Sequence, residues 1–311
     1  MFGFLAFLAQ YGRFVLVAGL ISGLALPDAA MALRPWLSEL VLLLIFFTAF
    51  RIGFPTALAA LHHIRETFAI VLAYQVALPL MCILVFTAFG QVQSPVAIAL
   101  TLMLAAPSIA GAPNLSVMLG HRPEPAFRVL ILGTMLLPVT IIPIFWFSPV
   151  LGSFTEALAA AIRLSILMGI TIAIAFGLRA ILKPKMKAEE REALDGLNSI
   201  ALAVIVIGLM SAVIPAFMDK PVVLAGWLLF AIFVNCGLQL LAYFVFQFLE
   251  VGQRNVPIAI VAGNRNVAIF LIASSAMQNE QFLIFLGWYQ FPMYLTPILM
   301  RPIFSKMSAT A

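Results

Sequence analysis

The sequence has few charged residues, and this scarcity excludes most soluble folds. Only 9% of its 311 residues are Asp, Glu, Lys or Arg, whereas 64% are hydrophobic and the mean hydropathy is +1.14. A typical soluble domain is about 25% charged, so this chain lacks the polar surface to cover such a core. The composition predicts an all-α polytopic membrane protein whose surroundings are the lipid bilayer.

Cysteine and histidine are also scarce, with 2 and 3 residues. Cys82 and Cys236 fall in different apolar runs, which argues against a disulfide framework. The histidines (His62, His63 and His121) lie in connecting loops, without a cysteine or carboxylate cluster at the spacing of metal ligands. We expect no metal site and no cofactor.

Acidic residues are missing from the interior of the apolar runs and lie in loops or near the ends of runs. An intramembrane hydrolase would need paired membrane aspartates or a nucleophile with its base. A channel would favour rings of like charge or repeated carbonyl filters. We therefore expect neither an enzyme nor a channel. The net charge of +5 is spread through short loops, which argues against a nucleic-acid partner.

One apolar run, 95–119, is interrupted at its centre by Pro107, Gly111 and Pro113, which are followed by Asn114. Each proline removes a backbone donor and clashes with the preceding helical turn. Two prolines so close together cannot both lie inside a regular helix. The sequence therefore predicts a broken helix in this run.

A second apolar run, 256–277, is interrupted by Gly263, Asn264, Arg265 and Asn266. Because about 20 apolar residues cross a bilayer, this polar group would lie near the midplane, where Gly263 tolerates non-helical dihedral angles. A guanidinium at that depth must face protein or water rather than lipid. Interrupted runs in matching places of two halves indicate the binding site of a secondary transporter.

Ten apolar runs of about 20 residues predict ten transmembrane helices. They cover approximately 11–27, 36–55, 67–89, 95–119, 126–148, 157–181, 196–216, 221–247, 254–278 and 281–303. The charged segment 182–195 is predicted to be a linker at mid-chain. Because five spans precede it, the second half starts from the opposite face of the membrane.

We therefore expect one transporter domain, 1–311, that consists of two inverted repeats, about 11–148 and 157–303. Gly111 precedes Gly263 by 152 positions, and the same interval separates Asn114 from Asn266. Such an interval fits a duplication. Inverted repeats place the substrate site where their broken helices meet.

The Lys and Arg residues predict the orientation of the chain. With the N-terminus in the cytoplasm, 13 of them fall on the cytoplasmic side and 3 on the opposite side, while Arg265 belongs to neither. Such an excess of basic residues is typical of cytoplasmic loops. Both termini and the linker are therefore predicted to be cytoplasmic.

The pattern resembles that of the bile acid:sodium symporters and their bacterial relatives, from about Tyr11 to Pro302. The resemblance rests on 106–114 in the fourth span and 263–266 in the ninth, with weaker support from Gln75 and Pro138. It implies a panel domain of spans 1, 2, 6 and 7 and a core domain of spans 3–5 and 8–10. In the core, helices 4 and 9 would be broken and would cross. The location would be the bacterial inner (cytoplasmic) membrane.

Four positions depart from the sodium-binding pattern of that family. Val261 and Arg265 stand where the family has a glutamate and a glutamine that bind sodium. Ala126 and Leu130 stand where hydroxyl ligands are expected. Hard cations prefer oxygen ligands, and the spans contain no interior carboxylate to replace the missing ones. We therefore expect transport without sodium.

The predicted substrate is a small organic anion, because a guanidinium pairs well with a carboxylate or sulfonate. The candidate substrate-binding residues are Arg265, Asn114, Asn266, Asn264 and Gln75, and the candidate breaks are Pro107, Gly111, Pro113 and Gly263.

Other roles stay open for the same residues. Arg265 could cap carbonyls at the break, the asparagines could satisfy the opened backbone, and Gln75, Asn235 and Gln239 could join helices. A sodium-coupled symporter of the same family and a non-transporting sensor on the same fold are alternative functions. The sequence does not distinguish import from export.

Overall fold

The computed structural model describes residues 2–59, 64–148, 153–249, 254–273 and 280–308, which form helices and no β-strand. The helices are, in chain order, α1 (Phe2–Gln10), α2 (Gly12–Ala25), α3 (Pro27–Leu33), α4 (Leu37–Ile52), α5 (Phe54–Ala59), α6 (Ile64–Leu72), α7 (Leu78–Ala88), α8 (Pro95–Ala105), α9 (Ala112–Met118), α10 (Glu124–Phe147), α11 (Phe154–Leu182), α12 (Ala188–Asp219), α13 (Pro221–Phe248), α14 (Asn255–Gly263), α15 (Glu280–Leu299) and α16 (Arg301–Ser308). Ala73–Ala77 form a π-helical turn, and Arg34–Trp36 and Val267–Ile272 form 3₁₀-helical turns.

Seven helical segments of the described chain are long and apolar enough to cross a membrane. They are Pro27–Ile52, Ile64–Ala88, Glu124–Phe147, Thr155–Leu182, Ala188–Asp219, Pro221–Phe248 and Glu280–Phe304. The bent pair Gly3–Gln10 and Phe14–Ala25 is an eighth candidate. The prediction of an all-helical, multi-pass membrane protein is thus confirmed. Two of the ten predicted spans, the fourth and the ninth, are broken into pieces shorter than a membrane span.

The chain divides into two compact units, each assembled from separate stretches of sequence. Unit 1 contains Met1–Ala59, Ile162–Leu224 and Ala268–Gly287, and unit 2 contains Ala60–Ala161, Ala225–Val267 and Trp288–Ala311. Unit 1 holds most of predicted spans 1, 2, 6 and 7, the set that the resemblance implies for the panel. It also holds Ala268–Gly287, which the resemblance places in the core.

Unit 1 is organised around α12, which packs closely against α2 through glycine. A Cβ atom on Gly19 would lie 3.0 Å from Ala203, and one on Gly23 would lie 2.6 Å from Cγ of Met210. Small residues at such positions let two membrane helices approach each other closely.

The loop between α11 and α12 is shorter than the predicted linker 182–195, since it comprises only 183–187. Glu190 stabilises the early start of α12. Its carboxylate accepts a hydrogen bond from the Lys187 backbone N–H at 2.9 Å and another from Nζ of Lys183 at 2.5 Å. Negative charge in a first turn also interacts favourably with the helix dipole.

Candidate functional site

The first broken segment consists of α8 and α9, in unit 2. A residue before a proline is driven out of the helical region, and Ala106, which precedes Pro107, is extended with φ −66° and ψ 147°. Pro113 lies in the first turn of α9, where no backbone donor is needed. The two prolines thus end one helix and begin the next.

The second broken segment begins with α14, also in unit 2, which ends at Gly263. Asn264 donates its backbone N–H to the carbonyl of Ile260 at 3.0 Å, which is the last helical hydrogen bond. Its dihedral angles, φ −110° and ψ 89°, then carry the chain out of the helix.

Backbone hydrogen bonds join the two breaks in an antiparallel pair. The N–H of Ile109 donates to the carbonyl of Asn264 at 3.1 Å, and the N–H of Asn266 donates to the carbonyl of Pro107 at 2.8 Å. Backbone groups that unwinding frees at membrane depth must be satisfied within the protein. Each break supplies hydrogen-bond partners for the backbone of the other, so the two breaks lie together in the structure.

Arg265 lies at the centre of the paired breaks and is 2% exposed. Its Nε donates to the carbonyl of Ala262 at 2.9 Å, and its Nη1 donates to the carbonyl of Ala106 at 3.0 Å. These carbonyls end α14 and α8, so the guanidinium meets the negative ends of two helix dipoles. Its Nη2 is buried and makes no hydrogen bond to another described residue. Arg265 therefore caps both helices and keeps one donor group free.

Two tyrosines that no sequence motif marks also contact Arg265. The guanidinium carbon lies 4.6 Å from the centroid of the Tyr74 ring, a stabilising arrangement for a cation. The Tyr74 hydroxyl donates to the carbonyl of Ile258 at 3.2 Å. The Tyr289 hydroxyl accepts a hydrogen bond from the Arg265 backbone N–H at 3.0 Å and donates to the carbonyl of Gly263.

Gln75 follows Tyr74 in the π-helical turn, but its amide makes different contacts. Pro79 lacks the N–H that would pair with the Gln75 carbonyl in a regular helix, and this accounts for the widened turn. The Gln75 Oε1 accepts a hydrogen bond from the Thr140 hydroxyl at 3.2 Å, and its Nε2 lies where Gly133 leaves space. Gln75 thus joins helices, and the described residues show no hydrogen bond between it and the paired breaks. Pro79 is a sequence signal for an irregular turn here, but it does not identify Tyr74 as a contact of Arg265.

Asn264 is buried, and protein partners occupy its side-chain amide. Its Nδ2 donates to the carbonyl of Ile260 at 2.8 Å, and its Oδ1 accepts a hydrogen bond from the Thr296 hydroxyl at 3.1 Å. Nδ2 of Asn235 also donates to this Oδ1, at 3.4 Å, and Nε2 of Gln239 donates to Oδ1 of Asn235 at 2.8 Å. Asn264 therefore stabilises the break from within, and Asn235 and Gln239 support it from α13.

Asn114 and Asn266 differ from Asn264 in being accessible. Asn114, on α9, is exposed, and Asn266 is half-buried. Neither side-chain amide makes a hydrogen bond within the part of the chain that the structure describes. Of the candidate asparagines, these two keep their polar groups available to a ligand.

The two candidate glycines have different roles. A Cβ on Gly263 would collide with the carbonyl oxygen of Asn235 and lie 2.6 Å from Cγ of Gln239. Gly263 is thus needed for the close approach of α13. Gly111 has an ordinary φ of −78°, and a Cβ there would meet only Cδ1 of Ile109, at 3.7 Å. The break in the first segment therefore does not depend on a glycine at this position.

Among the described residues, no acidic side chain balances the positive charge at the paired breaks. Within the described ranges, the buried charged side chains are Arg265 and Arg179, and none is acidic. The ion pairs of those ranges do not include Arg265. Because charges interact strongly in a medium of low dielectric constant, this arrangement favours an anionic ligand.

Comparisons with known proteins do not assign the chain to a family. No model of a known protein family matches it, and no curated protein is significantly similar to it.

Proposed function

We propose that the chain is a secondary transporter of a small organic anion, built like the bile acid:sodium symporters, which it resembles. The substrate site lies at the paired breaks, near the midplane of a bacterial inner membrane. One observation carries the proposal: the guanidinium of Arg265 is buried at both breaks and has no carboxylate partner among the described residues. A buried, unbalanced charge inside a membrane span is a functional feature by default.

The proposal includes ten spans in two inverted repeats, about 11–148 and 157–303. The spans are the seven continuous helices, the bent N-terminal pair and the two broken segments. The antiparallel pairing of the breaks supports this topology, because equivalent segments of opposite orientation would meet in this way. The pairing sets Ser108 opposite Arg265, which follows it by 157 positions. Repeat symmetry would relate these two residues, rather than Gly111 and Gly263.

The orientation follows from the distribution of Lys and Arg, which places both termini and the loop 183–187 in the cytoplasm. In this orientation α12 runs from the cytoplasm to the opposite side. Its 32 residues span about 48 Å at 1.5 Å per residue. That length exceeds the roughly 30 Å of the hydrocarbon core, so both ends of α12 reach the aqueous phase.

An anionic substrate fits the free donor of Arg265. The guanidinium stays protonated at all physiological pH values, and its Nη2 has no protein partner among the described residues. A carboxylate or sulfonate oxygen at Nη2 would form a short, charge-assisted hydrogen bond. The accessible amides of Asn114 and Asn266 would orient the rest of the substrate. Because Arg265 is buried in this conformation, the substrate reaches Nη2 when the site opens during the transport cycle.

The guanidinium also supports transport without sodium. It already lies at the carbonyl ends of α8 and α14, where it donates to Ala106 and Ala262. A bound cation would otherwise have to satisfy these negative helix ends. Since Arg265 is part of the chain, its charge cannot leave with the substrate. The transport mode is then exchange, facilitated diffusion, or coupling through a proton carried by the substrate.

A ligand screen tests the proposal on purified protein in a sodium-free choline buffer. The probes are small carboxylates and sulfonates, each paired with its neutral amide. At least one anion should raise the midpoint of thermal unfolding, because a ligand that binds only the folded state stabilises it. The shift should shrink in Asn266→Ala, whose fold we expect to be intact. Equal shifts with the neutral amides, or shifts that appear only with sodium, would contradict the proposal.

A further inference from the structure

Arg179, in the last turn of α11, is a second buried arginine and lies in unit 1. It is 7% exposed, and its Nε and Nη1 atoms are buried without a hydrogen bond to another described residue. A buried charged group without partners is costly. Nothing in the proposed transport site uses it.

The backbone of the α4–α5 corner is shaped to approach Arg179. Gly53, between these helices, has φ +74°, in the region that favours glycine. A Cβ on Gly53 would lie 3.5 Å from both Cγ and Nε of Arg179. Next to it, the ring of Phe54 lies 5.9 Å from the ring of Phe176 on α11. The corner thus covers the stem of Arg179.

The acidic residues near this corner have other partners. Asp195 forms an ion pair with Arg51, whose Nη2 donates to it at 2.8 Å. Glu190 accepts from Lys183 and from the backbone of Lys187. Glu190 attracts the charge of Arg179 and Arg191 repels it, but neither Asp195 nor Glu190 forms an ion pair with Arg179. This end of unit 1 therefore holds a positive charge that a bound anion would satisfy.

Large apolar side chains near this end of α11 are exposed. They include Phe54 beside the corner and Ile181 and Leu182 in the last turn of α11. A ligand here would meet a buried guanidinium and an apolar surface at the end of a membrane helix. Phosphate attached to acyl chains has both complementary parts, and basic pockets at membrane interfaces bind such headgroups.

We propose that Arg179 binds the headgroup phosphate of an anionic phospholipid, whose acyl chains lie over Phe54, Ile181 and Leu182. Because Nε and Nη1 are buried in this conformation, Arg179 donates to the phosphate oxygens after the α4–α5 corner over it shifts to admit the headgroup. This site does not depend on which substrate is transported, or on whether any is.

The test compares the purified native protein with Arg179→Gln and Arg163→Gln by native mass spectrometry and thermal unfolding. Arg163 is an exposed arginine near the other end of α11 and serves as the matched control. Phosphatidylglycerol, but not phosphatidylcholine, should bind to and stabilise the native protein and Arg163→Gln. Binding should be at least about tenfold weaker in Arg179→Gln, because the substitution removes both charge-assisted hydrogen bonds to the phosphate.

Three results would overturn the proposal. The first is equal binding of phosphatidylglycerol by all three proteins. The second is an equal stabilisation by inorganic phosphate alone, which would assign the site to a free anion. If Arg179→Gln does not fold, a photoactivatable phosphatidylglycerol is cross-linked to the native protein, and the positions of the cross-links show whether the lipid binds beside Arg179. Cross-links at 53–58 and 178–182 support the lipid site, and their absence from both segments is the third contradicting result.

Discussion

The guanidinium carbon of Arg265 lies 4.6 Å from the centroid of the Tyr74 ring, so the buried charge rests on an aromatic face. The hydroxyl of Tyr74 is used elsewhere, since it donates to the carbonyl of Ile258. The ring and the hydroxyl of Tyr74 therefore have separable roles. The ring stabilises the charge, and the hydroxyl fixes the ring.

Substitutions at Tyr74 should separate these two roles. Tyr74→Phe keeps the ring and loses a hydrogen bond worth about 1 kcal/mol. Tyr74→Leu also loses the cation–π contact, worth about 2 kcal/mol at a desolvated site. Thermal unfolding in detergent should therefore show a clearly larger decrease of Tm for Tyr74→Leu. Equal decreases would show that the ring face contributes nothing to Arg265.

The two glycines at the breaks should respond differently to alanine. Gly263→Ala would force a Cβ into the carbonyl of Asn235, so we expect loss of most of the folded protein, or a cost of about 2 kcal/mol or more. Gly111→Ala has space and an ordinary φ, so it should cost under about 1 kcal/mol. Size-exclusion profiles and Tm values of the two variants check this. A Gly111→Ala variant as damaged as Gly263→Ala would disprove the assignment of the close approach to Gly263.

The three asparagines should divide into a structural residue and two binding residues. Asn264→Ala removes a buried amide with several protein partners and should lower Tm. Asn114→Ala and Asn266→Ala remove amides that bond to no other described residue, so their Tm values should stay near that of the native protein. Each should instead weaken the apparent affinity for the anion up to about tenfold, the effect of one neutral hydrogen bond. A large drop in Tm for Asn266→Ala, with unchanged affinity for the anion, would show that Asn266 is a structural residue and not a binding residue.

Cysteine labelling tests the topology at the two ends of α12. Single cysteines at Lys187 and Asp219, both exposed, should react with a membrane-impermeant reagent from opposite sides. The background replaces the free cysteines Cys82 and Cys236 with serine. Labelling of both positions from one side would contradict the inverted repeats.

The break in the first segment follows the local effect of proline, since Ala106 before Pro107 is extended. Proline alone does not specify a break, because α10 and α15 each hold two prolines five residues apart inside a helix. The burial of Arg265 in protein could be predicted from its place in an apolar run. The register of the backbone pairing between the two breaks could not be predicted. The matching Gly and Asn residues suggested an interval of 152, whereas the backbone pairing sets Ser108 against Arg265. Which carbonyls face each other is decided by packing in three dimensions.

The partners of Arg265 could not be predicted for the same reason. Tyr74 and Tyr289 are distant from Arg265 in the sequence, and the residues that flank each tyrosine do not indicate a contact with Arg265. The resemblance points to Gln75, whereas the neighbouring residue Tyr74 is the one that contacts Arg265. Arg265 also contacts the carbonyl ends of α8 and α14, and these contacts likewise depend on three-dimensional packing.

Anion uptake into proteoliposomes, with sodium replaced by choline, tests the central role of Arg265 most directly. The native protein should take up the anion equally well in the sodium buffer and in the choline buffer. Arg265→Gln, which loses the charge, should lose uptake, and Arg265→Lys, which keeps it, should retain part. Because Arg265 also caps two helices, each variant is compared by its Tm and by uptake per folded protein. Strict dependence of the native protein on sodium, or undiminished uptake by Arg265→Gln, would contradict the account.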